Sequence, residues 1–133
     1  MEGLSDQALI QVAQYFQALA EPTRLRILNA LRDGKRNVGE VAAACGCSVA
    51  NISRHLAVLA AQGLVAREGR GTSVYYEIAD DSVYPLCDLV CTSISRQLDQ
   101  QASMHRAIGS AARKAIAKGA RSYKIVSNQS GAA

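Results

Sequence analysis

Apolar residues recur at a helical period along the first part of the chain. A seam with spacings of three and four residues predicts a first helix over residues 4–20. Pro22 suits the first turn of a second helix, which we expect to end at Gly34. After a polar connector, the Ala-rich stretch 38–45 predicts a short third helix. The first seam consists of Leu9, Val12, Phe16 and Leu19.

The stretch 48–63 predicts a fourth helix that directly follows the turn Gly46-Cys47. Ser48 is a suitable N-cap, and Gly63 suits the left-handed position after the last turn. A short helix, a tight turn that contains glycine and a longer helix together predict a helix-turn-helix. The apolar face of the longer helix consists of Ile52, Leu56 and Leu59.

The polar face of this fourth helix is the candidate DNA-reading surface. Its front carries short polar side chains, one cation and no acidic residue. Such a face suits the DNA major groove, because carboxylates would be repelled by phosphate. An ordinary solvent-facing helix is the alternative. His55, beside the apolar face, is expected to pack or hydrogen-bond rather than bind metal. The predicted DNA-binding residues of this helix are Ser48, Ala50, Asn51, Ser53 and Arg54.

Beyond the fourth helix the hydrophobic period changes to two, which predicts a β-hairpin. We expect strands over 64–67 and 72–79, joined by a tip at 68–71 that contains two glycines. A hairpin that follows a DNA-reading helix is the wing of a winged helix. Arg67 and Arg70 lie near the predicted tip, where they either contact the phosphate backbone as further DNA-binding residues or remain in solvent.

Three polar residues at 80–82 offer caps for a further helix over residues 82–101, with Pro85 in its first turn. Because this helix and the first one each carry a narrow seam, we expect them to pack together and form a dimer interface. The predicted fold is mainly α with a small β-hairpin, a winged helix-turn-helix that dimerises through its first and last body helices. The second seam consists of Cys87, Cys91, Ile94 and Leu98.

The charge pattern divides the chain into two predicted regions. Residues 1–101 contain nine Lys and Arg against eleven Asp and Glu, a sum of −2, and form the predicted DNA-binding and dimerisation domain. Residues 102–133 contain six Lys and Arg and no acid, a sum of +6, and form a predicted basic helix or tail. Such a region either assists nucleic-acid binding or acts as a solubilising end.

Several classes of protein do not fit this sequence. No apolar run approaches the roughly 20 residues of a membrane helix, and the first residues lack the basic and apolar regions of a signal peptide. We therefore expect a cytoplasmic protein without a membrane partner. The pattern offers no nucleophile with its base, no phosphate-binding glycine loop and no carboxylate pair, which argues against an enzyme.

Three stretches of the chain carry a family resemblance. They are the run from Ala18 to Leu28, ALAEPTRLRIL, the segment 52–56, ISRHL, which follows Ser48, and the run 63–65, GLV. With them, the block from residue 15 to about 101 resembles the ArsR/SmtB family of small winged-helix repressors. The resemblance implies a homodimer that binds a double-stranded DNA operator and leaves it when an inducer binds. It also implies that the inducer is often a thiophilic metal, a metalloid or a reactive sulfur species.

Two departures from the family pattern leave the inducer open. The third helix begins with Asn37-Val38-Gly39, without the Cys-Val-Cys of arsenic-sensing members, and Cys45-Gly46-Cys47 occupies the turn instead. The late helix lacks the His and Asp zinc set of other members. The identity of the inducer therefore cannot be carried over from the family.

The four cysteines form two candidate inducer pairs. Cys87 and Cys91 are four residues apart on one helix, which places their Cβ atoms about 5–6 Å apart. This separation is too long for a relaxed disulfide and suits two thiolates on one soft ion. Cys45 and Cys47 lie at the turn, where the helix dipole favours a thiolate at Cys47. Alternatively, all four are small apolar residues that fill a core or a dimer seam.

The predicted function is a homodimeric repressor that a soft metal or metalloid ion, bound by cysteines, releases from its operator. No other cofactor is expected. A thiol-based sensor of redox state or reactive sulfur, and a winged-helix regulator without a small inducer, are the alternatives. The sequence leaves open whether the two cysteine pairs meet in space.

Overall fold

The computed structural model describes the backbone of residues 1–130 and the side chains of residues 1–120. The chain divides into two compact units, Met1–Tyr84 and a second unit that begins at Pro85. The elements are α1 Asp6–Leu19, α2 Pro22–Ala30, β1 Arg36–Asn37, α3 Val38–Cys45, α4 Val49–Ala61, β2 Val65–Arg70, β3 Ser73–Ile78 and α5 Val83–Ser130. The predicted winged helix-turn-helix is confirmed, with α3 and α4 as its two helices and the hairpin β2–β3 as its wing.

Polar side chains decide where the first four helices begin. In each of them a side-chain oxygen accepts a hydrogen bond from the backbone N–H three residues further on, which satisfies one free donor of the first turn. Gly46 and Gly63 have φ values of 65° and 72°, so α3 and α4 end at the glycines that the sequence indicated. The capping residues are Ser5, Glu21, Asn37 and Ser48.

The core of the first unit lies where α2, α3 and α4 pack together. The predicted apolar face of α4 is fully buried there, and Ile52, Leu56 and Leu59 have no exposed surface. Burying one such side chain stabilises the fold by about 1.5–3 kcal/mol. This burial fixes the rotation of α4, so that its polar face is turned to the surface. The other fully buried large side chains are Ile27, Leu31, Val41, Leu64 and Val83.

The hairpin is longer and tighter than the sequence pattern predicted. Its ladder runs from the pair Val65–Ile78 to the pair Arg70–Ser73, which leaves a two-residue turn at Gly71-Thr72. The predicted tip at 68–71 is therefore wrong, because three of its four residues lie in β2. Gly71 has a φ of 59°, the left-handed value that two-residue hairpin turns require at their first position.

A third strand was missed by the sequence pattern. Arg36 and Asn37, predicted as a polar connector, form β1 and pair antiparallel with Tyr76 and Tyr75 of β3. The sheet order is β1-β3-β2. Two polar residues carry no alternating hydrophobic signal, and only the neighbouring edge of β3 makes them a strand.

The late helix is one continuous α5 of 48 residues, where the sequence predicted a helix over 82–101 followed by a separate basic helix or tail. No proline follows Pro85, so nothing removes a donor from the ladder of hydrogen bonds. Whether 102–133 forms a separate functional region stays a prediction, and 131–133 lie outside the described residues. Despite this length, no single described helix is apolar enough to span a membrane; α3 and α4 reach that length and apolarity only together, bent by 105°.

Candidate DNA-binding surface and cysteine pairs

The polar face of α4 brings the predicted DNA-reading residues together. Ala50, Ser53 and Arg54 are exposed, and Asn51 is half-buried between them. The hydroxyl of Ser48 accepts from the N–H of Asn51 at 3.2 Å, so it serves the helix cap. The Arg54 guanidinium donates to the side-chain oxygen of Asn51 at 2.9 Å. A neutral amide leaves the charge of the guanidinium uncompensated, which suits a contact to guanine or phosphate.

Arg24 is a candidate functional residue that the sequence pattern did not indicate. Its Nε donates to the carbonyl of Ala18 at 2.6 Å, and its Nη2 donates to the carbonyl of Gln17 at 3.0 Å. Its Nη1 lies 3.3 Å from Nδ1 of His55. One side chain of α2 thus joins the last turn of α1 to α4, the candidate DNA-reading helix. Its position just after α1 could have indicated this role, because the last carbonyls of a helix attract a cation.

Glu21 completes this junction between α1, α2 and α4. Its carboxylate caps α2 through the N–H of Arg24 at 3.0 Å and lies 3.8 Å from Nδ1 of His55. Burial opposes its ionisation, but the hydrogen bond from the Arg24 N–H, the attraction of His55 and a hydrogen bond from Thr23 outweigh burial and lower its pKa. Glu21 is therefore ionised wherever a histidine titrates. His55 has the hydrogen-bonding role that we expected for it.

The two arginines of the wing are separated by the hairpin. Arg67 lies opposite Tyr76 in the middle of the ladder, and Arg70 lies opposite Ser73 beside the turn. Side chains alternate between the two faces of a strand, so Arg67 and Arg70 belong to different faces. Both are exposed. Only Arg70 is at the tip, which corrects the prediction that both lie there.

Glu68 compensates part of the positive charge on the wing. Its carboxylate forms an ion pair with Lys35 and accepts from Nε of Arg70 at 3.2 Å. The hydrogen bond from Lys35, followed by that from Arg70, lowers the pKa of Glu68. The Arg70 guanidinium also lies 5.4 Å from the centre of the Tyr75 ring. The sequence pattern missed this cluster because Lys35 precedes Glu68 by 33 positions.

Cys45 and Cys47 lie at the turn between α3 and α4, and both are half-buried. The Cys47 thiol donates to the carbonyl of Cys45 at 3.4 Å, and the Cys47 N–H donates to the carbonyl of Ala42 at 3.1 Å. Burial, with a smaller contribution from Cys47, raises the pKa of the Cys45 thiol. Since the thiolate is the metal ligand and the nucleophile, this environment favours a packing role for Cys45.

Cys87 and Cys91 lie one turn apart near the start of α5. Cys87 is half-buried and Cys91 is exposed. Their four-residue spacing puts both on one side of the helix. In the part of the chain that the structure describes, His, Cys, Asp and Glu side chains form no group of three or more suited to a metal ion.

Known proteins resemble this chain in both sequence and fold. Residues 21–67 match the model of the family described as bacterial regulatory protein, arsR family. The chain is 42% identical over 85 residues to the HTH-type transcriptional regulator NmtR of Mycobacterium tuberculosis, covering 64% of this chain and 71% of NmtR.

Two solved structures share the fold over about three quarters of this chain. One is the homodimeric winged helix-turn-helix DNA-binding domain of Mb0332 from Mycobacterium bovis, with a TM-score of 0.63 and 38% identity over 75% of this chain and 95% of that one. The other is the AntR antimony-specific transcriptional repressor, with a TM-score of 0.62 and 30% identity over 73% and 88% of the two chains.

The segment that matches the family model extends from the Glu21 cap through α3 and α4 to Arg67 of the wing. It therefore includes Glu21, Arg24 and His55 of the junction, the turn with its two cysteines and the whole polar face of α4. The relatives are DNA-binding transcriptional regulators rather than enzymes. With this agreement in sequence and fold, the chain belongs to the arsR family of bacterial winged helix-turn-helix transcriptional regulators.

Proposed function

We propose that this chain is a homodimeric repressor, released from its operator when a soft metal or metalloid ion binds its cysteines. The observation that carries the DNA-binding part is the front of α4, where Asn51, Ser53 and Arg54 form a polar surface without a carboxylate. This helix is supported from behind by a fully buried apolar face. A rigid helix with such a front can enter the major groove without distorting its own fold.

The homodimer is supported by apolar surface that each unit leaves exposed. On α1, Leu9 is 40% and Phe16 is 48% exposed, and on α5, Ile94 is 50% and Leu98 is 58% exposed. A groove of about 420 Å³ beside α1 adds to this surface. The similar domain of Mb0332 is homodimeric. Two-fold symmetry would place two copies of α4 about 34 Å apart, one turn of DNA.

The inducer site is proposed at Cys87 and Cys91. The helical spacing of this pair and the raised pKa of Cys45 favour it over the pair at the turn. Two thiolates are half of a four-coordinate soft-metal site. The antimony-specific AntR is a structural relative that responds to a thiophilic metalloid. We therefore assign the inducer to the same chemical class and treat a reactive sulfur species as the second candidate.

Release follows if the inducer prefers the DNA-free arrangement of the two protomers. The pair lies on the helix that we propose for the dimer interface, so a bound ion can change the angle between protomers. Both copies of α4 must keep their one-turn separation to bind together. A coupling of about 1–3 kcal/mol between ion and operator would be of the size typical of allosteric effectors.

A mobility-shift assay on the DNA upstream of the coding sequence tests this proposal. The wild type should bind as a dimer, and one of arsenite, antimonite, cadmium, zinc or a persulfide should release it. Sedimentation at micromolar protein should show the dimer, and a monomer at that concentration would contradict the assembly. Absence of operator binding would contradict the whole function.

Two double variants locate the inducer site. The variant with Cys87→Ser and Cys91→Ser should bind the operator normally and no longer be released. The matched control with Cys45→Ser and Cys47→Ser should still be released. The reverse result would mean that the inducer binds at the turn. Normal release of both variants would mean that the cysteines are packing residues and that no inducer binds to their thiols.

A further inference from the structure

The junction of Arg24 with His55 joins three helices through one guanidinium. Arg24 is part-buried and donates to two carbonyls at the end of α1, those of Gln17 and Ala18. Its remaining nitrogen, Nη1, faces Nδ1 of His55 at 3.3 Å. His55 directly follows Arg54, the only cation of α4. A polar contact, as well as the apolar core, therefore holds the DNA-reading helix in place relative to α1.

The Arg24–His55 contact depends on the protonation state of the His55 ring. A guanidinium has donors only, so a ring nitrogen that hydrogen-bonds to it must accept. The 3.3 Å contact is therefore a hydrogen bond only when the ring is neutral with its proton on Nε2. A second proton would have to bind at Nδ1, the atom that Arg24 faces, and would replace an attraction by a repulsion between two cations.

The surrounding charges offer protonated His55 a different partner. Oε2 of Glu21 lies 3.8 Å from Nδ1, and the same oxygen accepts from the N–H of Arg24 as the α2 cap. A protonated ring would attract this oxygen while repelling the guanidinium. On the other elements packed on α4, Asp6, Arg26 and Arg67 are exposed, and two acidic residues have partners elsewhere. Glu40 of α3 pairs with Asn37, and Glu68 of β2 pairs with Lys35 and Arg70.

We propose that His55 is a positioning residue for DNA binding whose protonation weakens the Arg24 link and makes operator recognition sensitive to mildly acidic pH. Neutral His55 holds α4 to the end of α1 through Arg24. Protonated His55 releases Arg24 and turns to Glu21, so α4 loses one of its fixed contacts. This inference rests on the proposed role of α4 in operator binding, and α1 matters because it belongs to the proposed dimer interface.

The effect should appear in specificity rather than in overall DNA affinity. A proton on His55 adds positive charge beside the DNA-reading face and strengthens attraction to any phosphate backbone. Loss of a fixed position for α4 weakens contacts that require an exact fit to base edges. The ratio of operator affinity to scrambled-duplex affinity should therefore fall as pH falls through the range in which histidine titrates.

The test compares this affinity ratio at about pH 7.5 and about pH 5.5, at constant ionic strength, for full-length variants. The chain has two histidines, which provides a matched control. The wild type and His105→Gln should lose specificity by on the order of 5-fold to 10-fold at the lower pH, a typical size for coupled equilibria. His55→Gln, whose amide oxygen can still accept from Arg24 but does not titrate, should keep its ratio.

Nitrogen-15 NMR of the histidine rings in the wild type gives a second measurement that needs no substitution. At about pH 7.5 it should show His55 as the Nε2–H tautomer. The Nδ1–H tautomer, a wild-type ratio that is constant with pH, or a pH response that His105→Gln abolishes would each overturn the proposal. Operator binding at the higher pH tests the proposed function independently. If the wild type does not bind the operator at that pH, the proposed role of α4 is wrong, whatever His55 does.

Discussion

The recognition helix α4 and the wing hold their arginines in different ways. Arg54 on α4 is oriented by the neutral amide of Asn51, whereas Arg70 on the wing is oriented by the carboxylate of Glu68 and lies over Tyr75. Both arginines are exposed. The first keeps its whole charge, and the second shares it with an acid. From this comparison we expect α4 to supply most of the affinity for DNA. We expect Glu68 on the wing to limit the attraction of Arg70 to DNA of any sequence.

The largest effect is expected when the uncompensated arginine is removed. Arg54→Ala should weaken operator binding by about 1–3 kcal/mol if the guanidinium reads a base, with a smaller loss for scrambled DNA. Titration of the purified variant against both duplexes gives the two values. Arg96→Ala, which removes an exposed cation of α5, is the control. Equal losses of affinity for the two duplexes would mean that Arg54 contacts phosphate and does not read a base.

The next effect concerns the cap that holds the front of α4. Ser48→Ala removes the acceptor of the Asn51 N–H and should lower the free energy of unfolding by about 1 kcal/mol. Denaturant unfolding followed by circular dichroism measures this loss. Ser53→Ala, on the exposed face of the same helix, should leave stability nearly unchanged. If the two variants unfold alike, Ser48 is not the cap that orders this surface.

A smaller effect is expected when the wing loses its tip cation. Arg70→Ala should weaken operator and scrambled DNA to a similar degree and reduce the slope of log affinity against log salt by about one. Arg67→Ala tests the opposite face of the hairpin in the same assay. A change of specificity with Arg70→Ala would show that the wing reads sequence, which removes the contrast with α4.

The smallest effect tests the compensation itself. Glu68→Gln frees Lys35 and Arg70 from their acid and should raise the affinity for scrambled DNA, with a steeper salt dependence. Glu77→Gln, 3.9 Å from Lys35 at its nearest, is the weaker matched control. The pKa of Glu68 lies below its usual value, so the ion pairs form above that range and are lost only as pH falls through the lowered pKa. The effect of the substitution should therefore be the same at every pH well above the lowered pKa of Glu68.

Much of this molecule follows from local sequence. The spacing of Ile52, Leu56 and Leu59, the cap at Ser48 and the stop at Gly63 determine α4 and its polar face, because a helix period and two end signals lie within sixteen residues. The family resemblance rests on the same stretch and on the run around Arg24. The continuous length of α5 was also within reach of the sequence, which contains no proline beyond Pro85.

Contacts between distant segments were decided only by the tertiary structure. Arg36 and Asn37 become a strand because β3 offers an unpaired edge, and the turn lies at Gly71 because the ladder continues through Glu68. Arg24 and its partner His55 are 31 positions apart, and Lys35 and its partner Glu68 are 33 positions apart, beyond any helical or strand period. Local patterns determine which face a side chain occupies. Its charge partner depends on which elements the core brings together, and at Arg24 and Glu68 that packing determined the electrostatics of the DNA-binding surface.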